Sequence, residues 1–217
     1  MTQPHLNLTP KPEPAVLRFE PDEHRYFVDE GKGETELPGV TRVLEECRLI
    51  DFSMVPAHIL LAAQQRGTRV HQAVHYQTEG ELDETTVLEA DLGYIWAAQA
   101  FRTQLRIQPV LLEQRIWSPF YRFAGTLDLT GEMEHKDGDG SDPILADYKT
   151  GDETQAHEVQ VTMYASCLKD ARKYRRMTVY LRADGTFRVK EYKPENYNAA
   201  LNVGHAAVAI WHWKHAA

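Results

Sequence analysis

Two aspartates and a lysine occupy apolar, strand-like contexts in the middle of the chain. Asp128 lies in Gly-Thr-Leu-Asp-Leu, and Asp147 lies in Ile-Leu-Ala-Asp-Tyr-Lys, with Lys149 two residues further on. Side chains two positions apart on a strand point to the same side, so we expect Asp147 and Lys149 to share one face. A carboxylate and an ammonium at the end of a buried strand need partners, because burying an unpaired charge is costly.

Two kinds of partner satisfy these charges. In the first, Asp147 and Lys149 form a structural ion pair, which is common in proteins. In the second, the carboxylate binds a divalent cation and the lysine lies near a phosphate. Mg²⁺ prefers hard oxygen ligands and takes one or two carboxylates together with waters and phosphate oxygens. Asp128, on a preceding strand that can pair with this one, would be the second carboxylate. The spacing alone leaves both interpretations open.

Three motifs follow one another in the middle of the chain: Gly125-x-x-Asp128, then Asp147-x-Lys149-Thr-Gly, then a helical segment with Gln160-x-x-x-Tyr164. Their order resembles the PD-(D/E)XK nuclease superfamily. The set is most similar to the RecB-like branch, whose members often carry Gln-x-x-x-Tyr after the catalytic lysine. The resemblance implies an α/β fold with a central mixed β-sheet flanked by helices, the restriction-endonuclease-like core, with an N-terminal β-hairpin and a helical region.

Two upstream residues extend the resemblance. Arg66-Gly67-Thr68-x-x-His71 looks like the Gly-x-x-x-His element of RecB-like nucleases, whose histidine binds metal at the active site. Taken alone, a single histidine is more often a solvent-facing or capping residue. Glu113 lies in an apolar strand before the Gly-x-x-Asp motif, where these nucleases often place another active-site carboxylate. His71 and His75 share a helix face as in zinc metalloproteases, but Gln72 stands where such an enzyme needs a glutamate, which argues against that class.

The resemblance assigns roles to this chain's own residues. It implies one or two Mg²⁺ or Mn²⁺ ions held by His71, Asp128, Asp147 and the backbone carbonyl of Tyr148. The catalytic residues would be Asp128, Asp147, Lys149, Glu113, Gln160 and Tyr164. Lys149 would orient the attacking water or stabilise the phosphorane, and Gln160 would steady Lys149 or a phosphate. The DNA-binding residues would be Arg66, Thr68, Arg122, Thr150, Gln160 and Tyr164.

Composition limits the classes of function. The chain has 217 residues and a formal net charge of −8. Proteins that coat DNA without sequence preference are usually basic, because neutralising phosphates dominates their affinity. The charge therefore argues against an architectural DNA-binding protein. It is compatible with an enzyme that binds nucleic acid on one surface only, with a metal ion helping to attract phosphate.

Cysteine content and the lack of apolar segments indicate the compartment. Two cysteines far apart in the sequence indicate a reducing environment without a disulfide framework. Some related nucleases carry an iron–sulfur cluster that needs four cysteines, so the chain looks more like the cluster-free phage exonucleases. No apolar run approaches the roughly 20 residues that span a bilayer, and the N-terminus lacks the pattern of a signal peptide. We expect no membrane association and a cytoplasmic location in a bacterial or phage-infected cell.

Hydrophobic periodicity places the motifs on elements. We expect a Pro-rich flexible leader over 1–15 and a single nuclease domain over 16–217. The predicted elements, in chain order, are a hairpin over Leu17–Val28, a helix capped by Thr41, a helix over Pro56–Glu79 with close packing and either a bend or a junction between two helices at Gly67, a helix over Leu82–Ile107, two antiparallel strands over Val110–Glu134, a helix over Gln155–Lys173, a hairpin with its turn at Asp184-Gly185, and a helix over Pro194–Ala217.

The function favoured at this point is metal-dependent DNA exonuclease, in recombination, repair or DNA degradation. No appended sequence-reading module, such as a helix-turn-helix or zinc finger, is visible. The expected partners are linear DNA, single- or double-stranded, and a recombination or single-strand-binding protein. Two alternatives stay open: a structure-dependent endonuclease of the same superfamily, and a non-catalytic DNA-binding or adaptor protein on the nuclease scaffold.

Overall fold

The N-terminal part of the chain forms a small antiparallel sheet. A computed structural model describes residues 15–21 and 23–216. The flexible leader expected over 1–15 lies, apart from Ala15, outside these residues. The strands are β1 (Val16–Glu20), β2 (Arg25–Asp29) and β3 (Glu34–Leu37), in the order β1-β2-β3. The predicted hairpin is confirmed, whereas β3 was not predicted because its sequence, ETEL, is mostly charged and exposed.

Five further strands build the main sheet. They are β4 (Ile107–Ser118), β5 (Phe123–Glu134), β6 (Ser141–Lys149), β7 (Arg175–Leu181) and β8 (Phe187–Tyr192). Their order in space is β4-β5-β6-β7-β8, with β6 and β7 parallel and the other neighbours antiparallel. The sheet is therefore mixed, and the protein belongs to the α/β class, as the sequence predicted.

Five α-helices accompany the two sheets in the described residues. They are α1 (Val40–Glu46), α2 (Ala57–Glu79), α3 (Glu89–Gln104), α4 (Ala156–Ser166) and α5 (Tyr197–His215). Helix α2 runs through Gly67 without a break, so the alternative of two helices meeting at Gly67 is wrong. The cap of α1 is Gly39, and Thr41 lies inside the helix, so the predicted cap at Thr41 is also wrong. No helix in this part of the chain is long and apolar enough to cross a membrane.

Apolar side chains fill both faces of the main sheet. On one face, α2 and α3 pack on the strands through a core that contains Val70, Phe101, Ala146, Tyr148 and Val179. On the other face, α1, α4 and α5 share a core that contains Val43, Leu145, Val161, Met163 and Val208. Strand β6 alternates between the two cores, which explains why its central residues Ile144, Leu145 and Ala146 are all apolar.

Strands β5 and β6 of the main sheet stop pairing part-way along their length. The pairing of β5 with β6 ends at Leu129 and Ala146, whereas β6 stays paired with β7 as far as Lys149. Strand β5 instead continues with β4 to Phe123. A gap therefore opens between β5 and β6 directly after this last pair, at Asp128 and Asp147. The N-terminal sheet lies on this side of the molecule. Pro38, directly after β3, accepts a backbone hydrogen bond of 3.0 Å from Ala124 of β5.

Candidate active site

A cleft of about 660 Å³ lies where β5 and β6 diverge. Asp128, Asp147 and Lys149 line it, and the two aspartates are only 7% and 2% exposed. Helix α2, strand β4, the N-terminal sheet and helix α4 contribute the remaining walls. Polar groups that are nearly buried and still face an open cleft are typical of a binding or catalytic site.

Three side chains from three different elements meet in this cleft. His71 comes from α2, Glu113 from β4 and Asp128 from β5, and one ligand atom of each lies within 4.8 Å of the others. His71 Nδ1 lies 3.1 Å from Asp128 Oδ1 and 3.9 Å from Glu113 Oε1. The structure therefore brings together the histidine and the two carboxylates that the sequence had placed on separate predicted elements.

Asp128 is held at both of its carboxylate oxygens. Oδ1 contacts the His71 ring, and Oδ2 accepts a hydrogen bond of 2.6 Å from the backbone N–H of Tyr148. This N–H lies just beyond the last β5–β6 pair, so the side chain replaces the missing strand as its acceptor. The N–H and C=O of one strand residue point to the same edge, so the Tyr148 carbonyl also faces the gap.

Asp147 and Lys149 form an ion pair on one face of β6. Lys149 Nζ lies 2.7 Å from Asp147 Oδ2, which confirms the orientation expected from their spacing. The angles are poor for a hydrogen bond, and Asp147 Oδ2 remains buried without a hydrogen-bonding partner. The Asp147 carboxylate lies outside the group formed by His71, Glu113 and Asp128. The structural ion pair and the predicted active-site position thus coexist in the same two residues.

The charges of the His71 group are strongly interdependent. Burial lowers the pKa of His71, but the Asp128 carboxylate more than compensates and raises that pKa to about 9. Burial raises the pKa of Asp128, yet contact with His71 leaves it below its usual range. Burial and the negative charge of Asp128 raise the pKa of Glu113 to about 7. At neutral pH the group therefore holds one His–Asp ion pair and a glutamate that exchanges its proton readily.

The pKa values of Asp147 and Lys149 are also shifted by burial and by each other's charge. Burial raises the pKa of Asp147, and the nearby Lys149 ammonium offsets this only in part. Burial lowers the pKa of Lys149, but the attraction of Asp147 and Asp128 has the larger effect, so the pKa is raised overall. Lys149 is therefore protonated at neutral pH and available as a hydrogen-bond donor inside the cleft.

The backbone at Glu113 is strained. Its φ is +46°, a left-handed value that is rare for a residue other than glycine within a strand. The pairs Leu112–Leu129 and Gln114–Leu127 on either side show that Glu113 lies opposite Asp128. Such strain costs on the order of 1–3 kcal/mol and tends to occur at functional sites. Here it accompanies a carboxylate that contributes to the group around His71.

Helix α4 places Gln160 and Tyr164 on the wall of the cleft. Gln160 Nε2 donates hydrogen bonds of 3.0 Å to Thr41 Oγ1 and to the Tyr164 hydroxyl. Gln160 Oε1 is buried and has no partner among the described residues. The ring of Tyr164 packs so closely on Gly125 that a Cβ there would lie 2.6 Å from Cε1. The glycine of the Gly-x-x-Asp motif is therefore required by packing against Tyr164.

The predicted DNA-binding residues fall into two groups. Thr68, Gln160 and Tyr164 line the cleft. Arg66, Thr150 and Arg122 do not. Arg66 donates a hydrogen bond of 3.4 Å to the Thr150 carbonyl, which ties α2 to the end of β6. Arg122 pairs with Glu30 at 2.5 Å in the turn between β4 and β5. The structure thus gives these three residues structural contacts away from the cleft.

Sequence reasoning assigned no site role to part of the cleft lining. These residues are Phe19, His24 and Tyr26 of the N-terminal sheet and Thr41 and Arg42 of α1. The approach of the three aromatic residues to β5 depends on how the small sheet packs against the large one. Arg115 of β4 also lines the cleft, and the sequence indicated it only as a basic residue that could face DNA, a weak signal because exposed arginines are common.

The donor set suits a hard divalent cation. His71, Glu113 and Asp128 would hold it, and Asp147 and the Tyr148 carbonyl border the same gap. Carboxylate and carbonyl oxygens favour Mg²⁺ or Mn²⁺, and the imidazole nitrogen makes Mn²⁺ the better probe of the two. Asp147 Oδ2 is buried 2.7 Å from Lys149 Nζ without a hydrogen bond among the described residues, and it is a further oxygen of the type that ligates a hard cation.

Comparison with known proteins gives no independent guide. No family model and no curated protein matches the chain. The function proposed below therefore depends on the geometry of the cleft.

Proposed function

We propose that this protein is a metal-dependent deoxyribonuclease with a PD-(D/E)XK active site on a restriction-endonuclease-like core, and that it removes nucleotides from DNA ends. The observation that carries the proposal is the divergence of β5 and β6. It exposes Asp128, Asp147 and Lys149 to one cleft and admits His71 and Glu113 from neighbouring elements. An ion pair that served only to stabilise the fold would need neither the gap nor the other two side chains.

Each residue of the cleft has its own role in the proposed hydrolysis. Glu113, Asp128 and His71, the last as a neutral imidazole that has released its proton, would hold the cation, which would supply Lewis-acid stabilisation of the phosphate and a more acidic water. Lys149 donates hydrogen bonds to the phosphate oxygens, on which negative charge develops in the transition state. The free carboxylate oxygen of Glu113 would accept a hydrogen bond from the attacking water and so orient it. Gln160 places its free carbonyl oxygen at the wall and aligns Tyr164.

The position of the carboxylates supports cleavage at ends. They lie at the base of a cleft that has the N-terminal sheet on one side and α2 on the other. A DNA strand with a free end can enter such a cleft lengthwise. An uninterrupted duplex is wider and has no end to insert, so its phosphates reach the nearly buried carboxylates less easily. The endonuclease alternative remains an outcome of the experiment below.

The decisive experiment compares Lys149→Ala with wild type on end-labelled linear DNA, with and without Mg²⁺ or Mn²⁺. We expect metal-dependent release of nucleotides by wild type and a loss of about 100-fold or more in rate for the variant, because one preorganised donor to a transition-state oxyanion is worth that much. Lys173→Ala is the matched control, since Lys173 is an exposed lysine paired with Asp170 outside the cleft. Equal rates for Lys149→Ala and wild type would refute the mechanism.

Closed circular DNA separates the remaining alternatives. An exonuclease leaves a covalently closed circle intact while it degrades the linearised molecule. Cleavage of the circle would identify an endonuclease. Binding of DNA without hydrolysis in either metal would identify the adaptor alternative and overturn the proposal.

A further inference from the structure

Three aromatic rings form one surface beside the carboxylates. Phe19 and His24 lie edge to face with ring centroids 5.0 Å apart, and Phe19 lies 4.9 Å from Tyr26. His24 and Tyr26 are 5.7 Å apart, so the three rings form one continuous cluster, and all of them line the cleft. Elsewhere the cleft is lined by the tyrosine rings of Tyr76 from α2 and Tyr164 from α4. We call the Phe19–His24–Tyr26 cluster the aromatic face.

The fold holds this face rigidly. Phe19 and Tyr26 are direct cross-strand neighbours on β1 and β2, so both rings project from the same side of the small sheet. Tyr26 is buried, and its hydroxyl lies 2.9 Å from Thr126 Oγ1 on β5, two residues from Asp128. Phe19 is half-buried and His24 is exposed, so these two rings remain open to a ligand.

One cation beside the aromatic face has no counterion among the described residues. Of the arginines and lysines that line the cleft, Arg42 pairs with Glu46 and Glu36, and Lys149 pairs with Asp147. Arg115 makes no ion pair within the described part of the chain, and its guanidinium lies 5.1 Å above the Phe19 ring. It therefore provides a positive charge without a counterion among the described residues, directly beside the Phe19 ring.

These features match the way single strands are bound. Proteins bind single-stranded DNA through aromatic rings, on which unpaired bases stack, and through basic groups that contact the backbone. A base in a duplex has its faces covered by its neighbours, so a stacking surface selects unpaired nucleotides. The net charge of −8 also disfavours a duplex, whose affinity for protein depends on many phosphate contacts.

We propose that the aromatic face stacks an unpaired base of a single-stranded DNA end, with Arg115 on the adjacent phosphate, so that the next phosphate lies over the carboxylates. This inference depends on the proposed function for the identity of the substrate and adds its strand preference. Since Arg115 and Lys149 are the two cations near the path, the salt dependence of binding should be shallow. The slope of log K against log salt should be about −1 to −1.5.

Fluorescence of 2-aminopurine at the end of an oligonucleotide tests the stacking directly. The probe is a short single strand with 2-aminopurine at either terminus and phosphorothioate bonds at both ends to slow hydrolysis, with Mn²⁺ present. We expect quenching on binding to wild type and much weaker quenching with a blunt duplex of the same sequence. Phe19→Leu keeps an apolar side chain without the ring and should weaken binding about 5- to 100-fold, the range for loss of one stacked base.

Matched variants separate stacking from folding. Phe27 lies on the opposite side of the same small sheet, under Arg18, and does not line the cleft. Phe27→Leu should therefore leave affinity and quenching unchanged, and Phe19→Trp should retain both. If Phe19→Leu fails to fold, His24→Ser supplies the same test at an exposed position and should reduce quenching.

The outcomes distinguish this inference from the proposed function. Absence of quenching with wild type, equal effects of Phe19→Leu and Phe27→Leu, or equal binding of blunt duplex and single strand would each overturn the aromatic face as a stacking surface. Any of these results leaves cleavage of end-labelled DNA to be judged on its own assay. Quenching without cleavage of any DNA would instead support the aromatic face and refute the nuclease.

Discussion

At the scale of single residues, Asp128 links the parts of the site. Its Oδ1 faces His71 and its Oδ2 accepts the N–H of Tyr148, so it fixes the imidazole and stabilises the edge of β6 where pairing with β5 has ended. Its negative charge also raises the pKa of Glu113. A single carboxylate thus controls the position of one neighbour and the protonation of two.

Asp128→Asn should weaken Mn²⁺ binding by at least about tenfold, because a charged ligand is lost and His71 loses the partner that orients it. The change preserves shape, so the amide oxygen can still accept the Tyr148 N–H and the fold should persist. Isothermal titration with Mn²⁺ measures the effect. Asp142→Asn is the matched control, since Asp142 is an exposed aspartate paired with Arg175. Equal Mn²⁺ affinity in Asp128→Asn and wild type would remove Asp128 from the ligands.

At the scale of elements, the two helices on one face of the sheet use glycine differently. Gly93 of α3 packs against the chain at Ala183, where a Cβ would lie 1.7 Å from the carbonyl oxygen. Gly67 of α2 lines the cleft, and a Cβ there would meet no atom within 4 Å. The close approach predicted for Gly67 is therefore wrong, and the close helix–backbone contact belongs to Gly93.

A pair of alanine substitutions follows from this difference. Gly67→Ala should stabilise the protein by about 0.5–1 kcal/mol, because alanine is the better helix former and has space. Gly93→Ala should destabilise it by about 3 kcal/mol or more, because backbone must shift to relieve the overlap. Urea unfolding followed by far-UV circular dichroism measures both. A stabilising effect of Gly93→Ala would contradict the packing of α3 on Ala183.

At the scale of the whole molecule, stability depends on polar groups buried with the sheet. His157 of α4 is 7% exposed and its Nδ1 lies 2.9 Å from the Tyr180 hydroxyl of β7. Burial, helped by the positive charge of Lys149, lowers the pKa of His157 to about 4. The folded protein therefore keeps this ring neutral over a range in which the unfolded chain protonates it.

The free energy of unfolding should fall as the pH drops from about 6.5 towards 4. The histidine pKa is about 6.5 in the unfolded chain and lower in the folded state, so the unfolded state binds more protons in this window. The contribution of neutral His157 to the free energy of unfolding is complete above about pH 6.5, and about 1–2 kcal/mol of it should be lost by about pH 5. His157→Gln should make the pH dependence shallower in urea titrations, whereas His58→Gln, at an exposed position, should not. Parallel curves for His157→Gln and wild type would exclude His157 as the cause.

Much of the fold could be predicted from local patterns. The 3.6-residue period located α2 and α5, alternation and turn residues located the hairpins, and the apolar run at Ile144–Tyr148 indicated a buried strand. Errors occurred where tertiary contacts decide. Helix α4 ends at Ser166 rather than at Lys173, and β3 forms from a charged segment because β2 offers it an edge to pair with.

The sequence by itself determined which residues are candidates for the chemistry, because residue type and spacing along one strand are local properties. It placed Asp147 and Lys149 on one face and marked Asp128, His71 and Glu113 as partners by resemblance. Only the tertiary structure decided how these groups meet. The early end of β5–β6 pairing opens the gap, the left-handed backbone at Glu113 accompanies its carboxylate there, and the small sheet brings Phe19 beside Arg115. These are contacts between residues far apart in the chain, and their free energy depends on packing that no local pattern records.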